Sequence, residues 1–418
     1  MFRVKQNQAG EVLNKTNSKK TMKSNSYIPA LTGVRAIAAF LVFFHHFNQL
    51  DFPFPLRRTL NEFHMGVTMF FLLSGFLICM RYYDSCELSE NWFRKYIKNR
   101  IARIYPMYLL LTLVTFGLYF IFGGEASVLN GFGTPVVLLL LNIFFLRGFF
   151  DDLKFTGVGQ GWSLTVEESF YFLAPLFFMQ MKKNIKAIIY IPILLILSGC
   201  LLVLIFRQIP FFGFFGNFTF MFLYTFLGRC VEFFIGMGLA LIILQTNEAD
   251  RKYPMFTFLG LIGIAGSIGI MASIPLKGIE YGLYHPIGII TNNLLLPIGI
   301  ALFYFGVIKE NTLIRKFLSS ATMQLLGKSS YIFYLIHIGV IANFAKGITR
   351  NSVDWFFNWL ENNGYDWFLD HINDSVLYIG IVFIRLNMVS IFLYKFIEEP
   401  LNLYIRKSSL LDKRIKSN

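Results

Sequence analysis

Eleven apolar stretches, most of them about 20 residues long, divide this chain of 418 residues at roughly 31–50, 65–80, 104–122, 134–147, 163–181, 187–206, 218–245, 255–274, 286–308, 329–346 and 375–397. No other feature restricts the fold as severely. Lipid offers no partner to a backbone N–H or C=O, so only helices and closed barrels cross a bilayer. A helix needs about 20 apolar residues for the crossing, and a barrel strand about 10. The stretches here have helix length. Charged residues make up 15% of the chain, against about a quarter in soluble domains. The expected fold is an all-α, polytopic transmembrane bundle, and the membrane region consumes the length a second soluble catalytic domain would need.

Loop charge assigns the sides, because Lys and Arg concentrate in cytoplasmic loops. Residues 1–30 carry six Lys or Arg against Glu11, and 81–103 carry Arg81, Arg94, Lys95, Lys98, Arg100 and Arg103. The next basic cluster is Lys182, Lys183 and Lys186. A crossing at 134–147 would put it outside. With 134–147 embedded but not crossing, 309–328 and the basic tail fall inside and the acidic stretch 350–374 falls outside. Ten crossings with both termini cytoplasmic are therefore expected. Residues 1–26 form a basic tail expected to be disordered, 27–403 the transmembrane domain, and 404–418 a second basic tail.

A net charge of +14 could suggest nucleic acid. The positive residues lie in short loops between apolar runs, which is a topology signal, so no nucleic-acid partner is expected. Cys79, Cys86, Cys200 and Cys230 have no zinc-site spacing, so neither a metal nor a disulfide framework is expected. The aromatics of 347–374 suggest a structured or interfacial element, a membrane-interface belt being the simpler reading.

Ionisable residues inside apolar segments are the functional candidates. Arg35 and His46 lie eleven residues apart in the first segment. Eleven steps of about 100° return them to one face, roughly 16 Å apart along the axis. His45 points about 100° away and is the weaker candidate. Gly161-Trp-Ser-Leu-Thr-Val-Glu-Glu opens a later helix, in which Ser163 or Thr165 can cap the N-terminus and Glu167 or Glu168 sits in the first turns. One of these glutamates meeting His46 would fix its tautomer and stabilise an imidazolium. Arg100 and Arg103 share a face and suit forked binding of phosphate, or else anchor lipid headgroups. Arg229 and Glu232, at i and i+3, read as an ion pair within the membrane. Arg385 needs a partner on another helix or a cavity. His337 lines a polar path or makes an interhelical contact, and Ser74-Gly75 reads as a helix-packing site.

Taken in order, several stretches resemble the acyltransferase family 3 proteins, bacterial membrane O-acyltransferases. They are Arg35-x10-His46, Gly66-Val-Thr-Met-Phe-Phe-Leu-Leu-Ser-Gly-Phe-Leu-Ile, Arg100-Ile-Ala-Arg103-Ile-Tyr-Pro, Trp162-Ser-Leu-Thr-Val-Glu167, Ser330-Tyr-Ile-Phe-Tyr-Leu-Ile-His337 and Phe396-Ile-Glu-Glu399-Pro400. The resemblance covers about residues 27–403. Thr68 stands where the family usually has Asp, and the extracytoplasmic hydrolase-like domain of many relatives is not expected here. The resemblance implies transfer of an acyl group, most often acetyl, from cytoplasmic acyl-CoA to a hydroxyl of an extracytoplasmic glycan or glycolipid, with no bound cofactor. His46 would act as general base or transient acyl carrier with Glu167 beside it, and Arg35, Arg100 and Arg103 would hold the donor. Trp162, Ser163, Arg229, Glu232, His337 and Arg385 would be supporting polar residues among lipid. The alternative of another class is a multi-pass transporter or flippase, against which no inverted repeat stands out.

Overall fold

The computed structural model describes residues 27–408, apart from 49–51, 88, 123–134, 247–250, 252, 277, 279–280, 366 and 368–372. The tail expected at 1–26 lies outside the described residues, as do 409–418. Residues 404–407, assigned to the second tail from sequence, instead continue a helix.

The described residues are helical apart from turns and two isolated β-bridges. The chain begins with α1 (Pro29–His46), α2 (Phe54–Asn61), α3 (Met65–Tyr82), α4 (Glu90–Phe122) and α5 (Pro135–Ile143). It continues with α6 (Gly161–Lys183), α7 (Ala187–Phe206), α8 (Phe218–Tyr224), α9 (Phe226–Gln245), α10 (Met255–Ser273), α11 (Pro286–Ile290) and α12 (Leu296–Lys309). The last elements are α13 (Leu313–Leu318), α14 (Ala321–Ile336), α15 (Val340–Asn362), α16 (Asp374–Leu393) and α17 (Glu399–Lys407).

Among the described residues, eight helical stretches are long and apolar enough to cross a bilayer, or nine if the pair α14–α15, bent by 93°, is counted as one span. The tenth expected crossing corresponds to α6. Its 23 residues are long enough, at about 35 Å, but Glu167, Glu168 and Gln180 lower its hydropathy. The nine residues of α5 extend about 14 Å, well short of the hydrocarbon core. α4 fuses the basic stretch 90–103 and the apolar run 104–122 into one helix of 33 residues. Arg, Lys and Glu are good helix formers, and Arg94 pairs with Glu90 one turn away at 2.6 Å.

Three expected continuous segments are broken. Residues 218–245 divide at Thr225, whose backbone is extended (φ −114°, ψ 156°). Residues 286–308 pass through a wide turn at Thr291–Leu295, which carries buried Asn292 and Asn293 inward. The segment 329–346 ends its first helix at Ile336 and turns at Gly339, φ 92°, into α15. α15 buries Ala342, Ala345, Thr349 and Val353 while exposing Phe344, Trp355 and Trp359, so the aromatic stretch forms an amphipathic helix.

The tightest helix pairs are α3 with α9, α10 with α12, and α1 with α14. The α2–α3 stretch is 72% buried inside the protein and α7 only 22%, which puts α3 at the centre and α7 on the periphery. The α3–α9 crossing depends on two glycines. A Cβ on Gly75 would lie 2.2 Å from the Phe233 carbonyl oxygen, and one on Gly236 would lie 2.1 Å from that of Leu72.

Candidate active site

Three cavities follow one another through the bundle and share walls. The first, the basic cavity of about 500 Å³, is lined by Arg35, Arg81, Arg100, Arg103 and Arg406. Arg35, Leu77, Ile78, Arg100 and Arg103 also line the second, a middle cavity of about 140 Å³ that contains Ser74, Ser163, Glu167 and Tyr171. Val67 and Tyr334 separate the middle cavity from the third, the histidine cavity of about 490 Å³, which holds His45, His46 and His64. Arg35 and His46, on one face of α1, therefore line the first and the third of these adjoining cavities.

Arg100 and Arg103 come from the basic part of α4. Arg100 lies over the rings of Tyr82 (5.4 Å) and Tyr171 (5.6 Å) and donates to the Tyr82 hydroxyl at 3.3 Å. Arg103 pairs with Glu398, at the end of the last long helix, at 2.5 Å, and faces the Tyr331 ring. Nε of Arg100 and Nη2 of Arg103 are buried donors with no hydrogen-bond partner in the protein. Arg35, Arg100 and Arg103 face two carboxylates, Glu167 and Glu398. Glu168 also lies within electrostatic reach of Arg100, and Arg81 and Arg406 bring the guanidinium groups of the basic cavity to five, in surroundings suited to an anion.

The sequence expectation that Glu167 meets His46 requires correction. Glu167 accepts a hydrogen bond from Ser74 at 2.6 Å, and the Tyr171 hydroxyl donates to Ser74 at 3.3 Å. The reason is depth. α6 starts at Gly161, so Glu167 lies about 9 Å along it, facing the arginines, while His46 is the last residue of α1. Ser163 is inside the helix rather than its cap. Its hydroxyl donates to the Gln160 carbonyl at 2.9 Å, so the Tyr334 hydroxyl, 2.8 Å away, donates to it. Thr165 donates to the Phe145 carbonyl at 2.8 Å.

His46 instead meets His337. The His337 Nδ1 lies 2.7 Å from the Tyr334 carbonyl. A carbonyl only accepts, so Nδ1 carries the hydrogen and Nε2 is a lone pair. That Nε2 lies 3.2 Å from His46 Nδ1, which is also 2.9 Å from the Val42 carbonyl. The His46 hydrogen must therefore sit on Nδ1, shared between the two acceptors. Its Nε2 is left as the free basic nitrogen, and the ring faces a cavity. His337 does for His46 what the sequence reading asked of Glu167: it fixes the tautomer.

Of the other candidates, Arg229 and Trp162 border the histidine cavity, and Glu232 and Arg385 make structural contacts. Arg229 pairs with Glu232 at 2.5 Å, donates to Thr68 at 2.8 Å and lies over the Phe71 ring, with Glu232 wholly buried. Thr68 passes its own hydrogen to Asn292 at 3.2 Å. Trp162 packs edge-on to Tyr224 and Phe71 at the histidine cavity. Arg385 reaches Thr349 at 2.8 Å and Ser352 at 3.2 Å on α15. The cysteines are unpaired, and no cluster of metal-ligating residues occurs among the described residues. Sequence reasoning missed His64 and Glu62, and it held Tyr331, Tyr334 and Glu398 only inside longer motifs without a role. The hydroxyls had a signal, since Tyr331, Tyr334 and His337 recur at i, i+3 and i+6, one helix face.

A bundle of membrane-length helices around buried arginine and histidine cavities defines a polytopic membrane protein, and family comparison specifies it further. Residues 28–395 match the acyltransferase domain model Acyl_transf_3, so the chain belongs to the acyltransferase family 3. It is 28% identical over 343 residues to O-acetyltransferase OatA of Staphylococcus aureus strain NCTC 8325, covering 77% of this chain and 51% of that protein. It is 24% identical over 371 residues to a protein of strain COL provisionally named O-acetyltransferase SACOL0978, covering 79% of this chain and 53% of that one. The chain thus spans about half the length of the curated relatives it matches. No solved structure matches it. Membership supports O-acyltransferase activity in a multi-pass membrane protein.

Proposed function

We propose that the protein moves an acyl group, acetyl in the first instance, from cytoplasmic acyl-CoA to a hydroxyl on an extracytoplasmic glycan or glycolipid. The observation that carries this reading is the row of three adjoining cavities from five arginines to His46. The basic end faces the cytoplasm of a bacterial inner membrane. Arg35, Arg100 and Arg103 hold the phosphates of the donor there, with guanidinium nitrogens left free of protein partners. The middle cavity, at about 140 Å³, is too small for a nucleotide and takes the extended arm that bears the thioester. Glu167, tied to Ser74, balances the arginines along that arm. His46 Nε2 meets the acyl group as it reaches the third cavity, either taking the proton of the acceptor hydroxyl as general base or attacking the acyl carbon as acyl carrier. Trp162, Tyr224, Tyr281 and Tyr284 line that cavity and offer flat faces to a sugar ring.

The test uses the purified protein in nanodiscs with acetyl-labelled acetyl-CoA. The wild type is expected to release free CoA and to transfer or hydrolyse the label. His46→Ala is expected to lose at least about a hundredfold of that turnover. A folded His46→Ala protein with normal turnover sinks the assignment. A wild type that consumes no donor at all favours a transporter.

A further inference from the structure

The histidine cavity holds a second imidazole, and this one has a carboxylate. His64 Nε2 lies 3.0 Å from Glu62 Oε2 in the short turn between α2 and α3. Glu62 is 1% exposed, and its other oxygen accepts the Gly282 N–H at 3.2 Å. An ionised carboxylate only accepts, so the His64 hydrogen sits on Nε2 and Nδ1 is the basic nitrogen. The His64 ring packs 5.7 Å from His45, which packs 4.8 Å from His46, and all three line one cavity. The two other rings are supported differently. His45 Nδ1 is engaged by the Asn61 carbonyl at 2.7 Å, and His46 Nδ1 by the Val42 carbonyl and a neutral His337. Among the described residues, His64 is the cavity histidine whose protonated form an adjacent carboxylate neutralises, as a proton acceptor requires.

We propose that His64, oriented by Glu62, is the catalytic base that takes the proton of the acceptor hydroxyl, while His46 carries the acyl group. This rests on the acyl-transfer reading above. In the first step His46 Nε2 attacks the thioester carbon, the C–S bond breaks, the thiolate leaves, and the Nδ1 proton of the acyl-imidazolium passes to His337 Nε2. In the second, the acceptor oxygen attacks the acyl carbon while its proton moves to His64 Nδ1. The C–N electron pair returns to His46, which recovers its proton from His337. His64 then releases its proton to solvent on the side of the histidine cavity, and the thiolate takes a proton from solvent at the arginine end. Glu62 is a positioning residue in this scheme.

The experiment compares wild type, His64→Ala and Glu62→Gln in nanodiscs, with labelled acetyl-CoA as donor and octyl β-D-glucoside as hydroxyl acceptor. For His64→Ala, kcat for transfer is expected to fall about a hundredfold or more with the acceptor KM within about threefold. Added imidazole should restore about tenfold of it, and label should accumulate on the protein because discharge is slow. Glu62→Gln, which keeps an acceptor for Gly282, is expected to lose about tenfold in kcat with KM preserved. A His64→Ala protein that transfers at the wild-type rate, or that loses activity without imidazole rescue while folded, overturns the assignment. If His64→Ala does not fold, an unchanged kcat in Glu62→Gln overturns it instead. A wild type that neither consumes acetyl-CoA nor labels the glucoside counts against acyl transfer itself.

Discussion

Arg229 and Glu232 show what a charge in this bundle requires. Both are almost completely buried and bonded to each other. Removing one partner leaves an uncompensated charge in a medium that cannot solvate it. Glu232→Ala is therefore expected to destabilise the protein by about 3–5 kcal/mol, whereas Arg229→Met with Glu232→Leu should recover most of that. Thermal unfolding in detergent measures both. His337 is a different case, since it holds another ring in place. His337→Ala should lower turnover while leaving donor binding near normal, and isothermal titration with CoA beside a turnover assay separates the two. The charged and titratable residues were legible in sequence because an Arg or Glu in an apolar run is conspicuous. Their pairing was not, because partner choice depends on the relative depth of two helices, which no single segment encodes. Glu167 was found and then matched to the wrong partner for that reason.

Helices were readable from apolar length, and their breaks were not. The run 218–245 stays apolar through Thr225, and no Pro or Gly there marks the extended residue that separates α8 from α9. The wide turn at Thr291–Leu295 is equally silent, since a change of hydrogen-bond register leaves composition untouched. The break after α14 had one clue, Gly339, whose φ of 92° lies in a region that L side chains rarely adopt. Gly339→Val should therefore disturb the His337 end of α14, read as lost turnover in a protein of only slightly lower melting temperature. Gly75 is the opposite kind of site. Gly75→Val would press against the Phe233 backbone and separate the central α3–α9 pair. Loss of the monodisperse species in size-exclusion chromatography is expected. Close approach at small residues is how membrane helices gain contact in lipid, where no hydrophobic drive operates.

The whole molecule places the two ends of the path in chemically different settings. One end is lined by five guanidinium groups and the other by imidazole and aromatic rings, with Arg229 there held by Glu232. Single cysteines at Arg81 and at Tyr281 should be labelled by a membrane-impermeant maleimide from opposite sides of sealed vesicles. Labelling of both from one side would refute a transmembrane path. Between the large cavities stand Val67 and Tyr334. Tyr334→Ala should widen that passage and admit donors with longer acyl chains, seen as a higher relative rate with butyryl-CoA than with acetyl-CoA.

The narrowness of that shared wall has an energetic consequence. A nucleotide with its phosphates carries several negative charges, and taking them through hydrocarbon would be prohibitive without an ion gradient or ATP hydrolysis. The acyl-transfer reading asks only a neutral two-carbon fragment to pass Val67 and Tyr334, the residues that the two cavities share. On the proposed reaction, the thioester's own free energy crosses the membrane with that fragment. Sealed vesicles carrying only acetyl-CoA on the arginine side, with no voltage and no nucleotide triphosphate, should therefore suffice to make ester on the other.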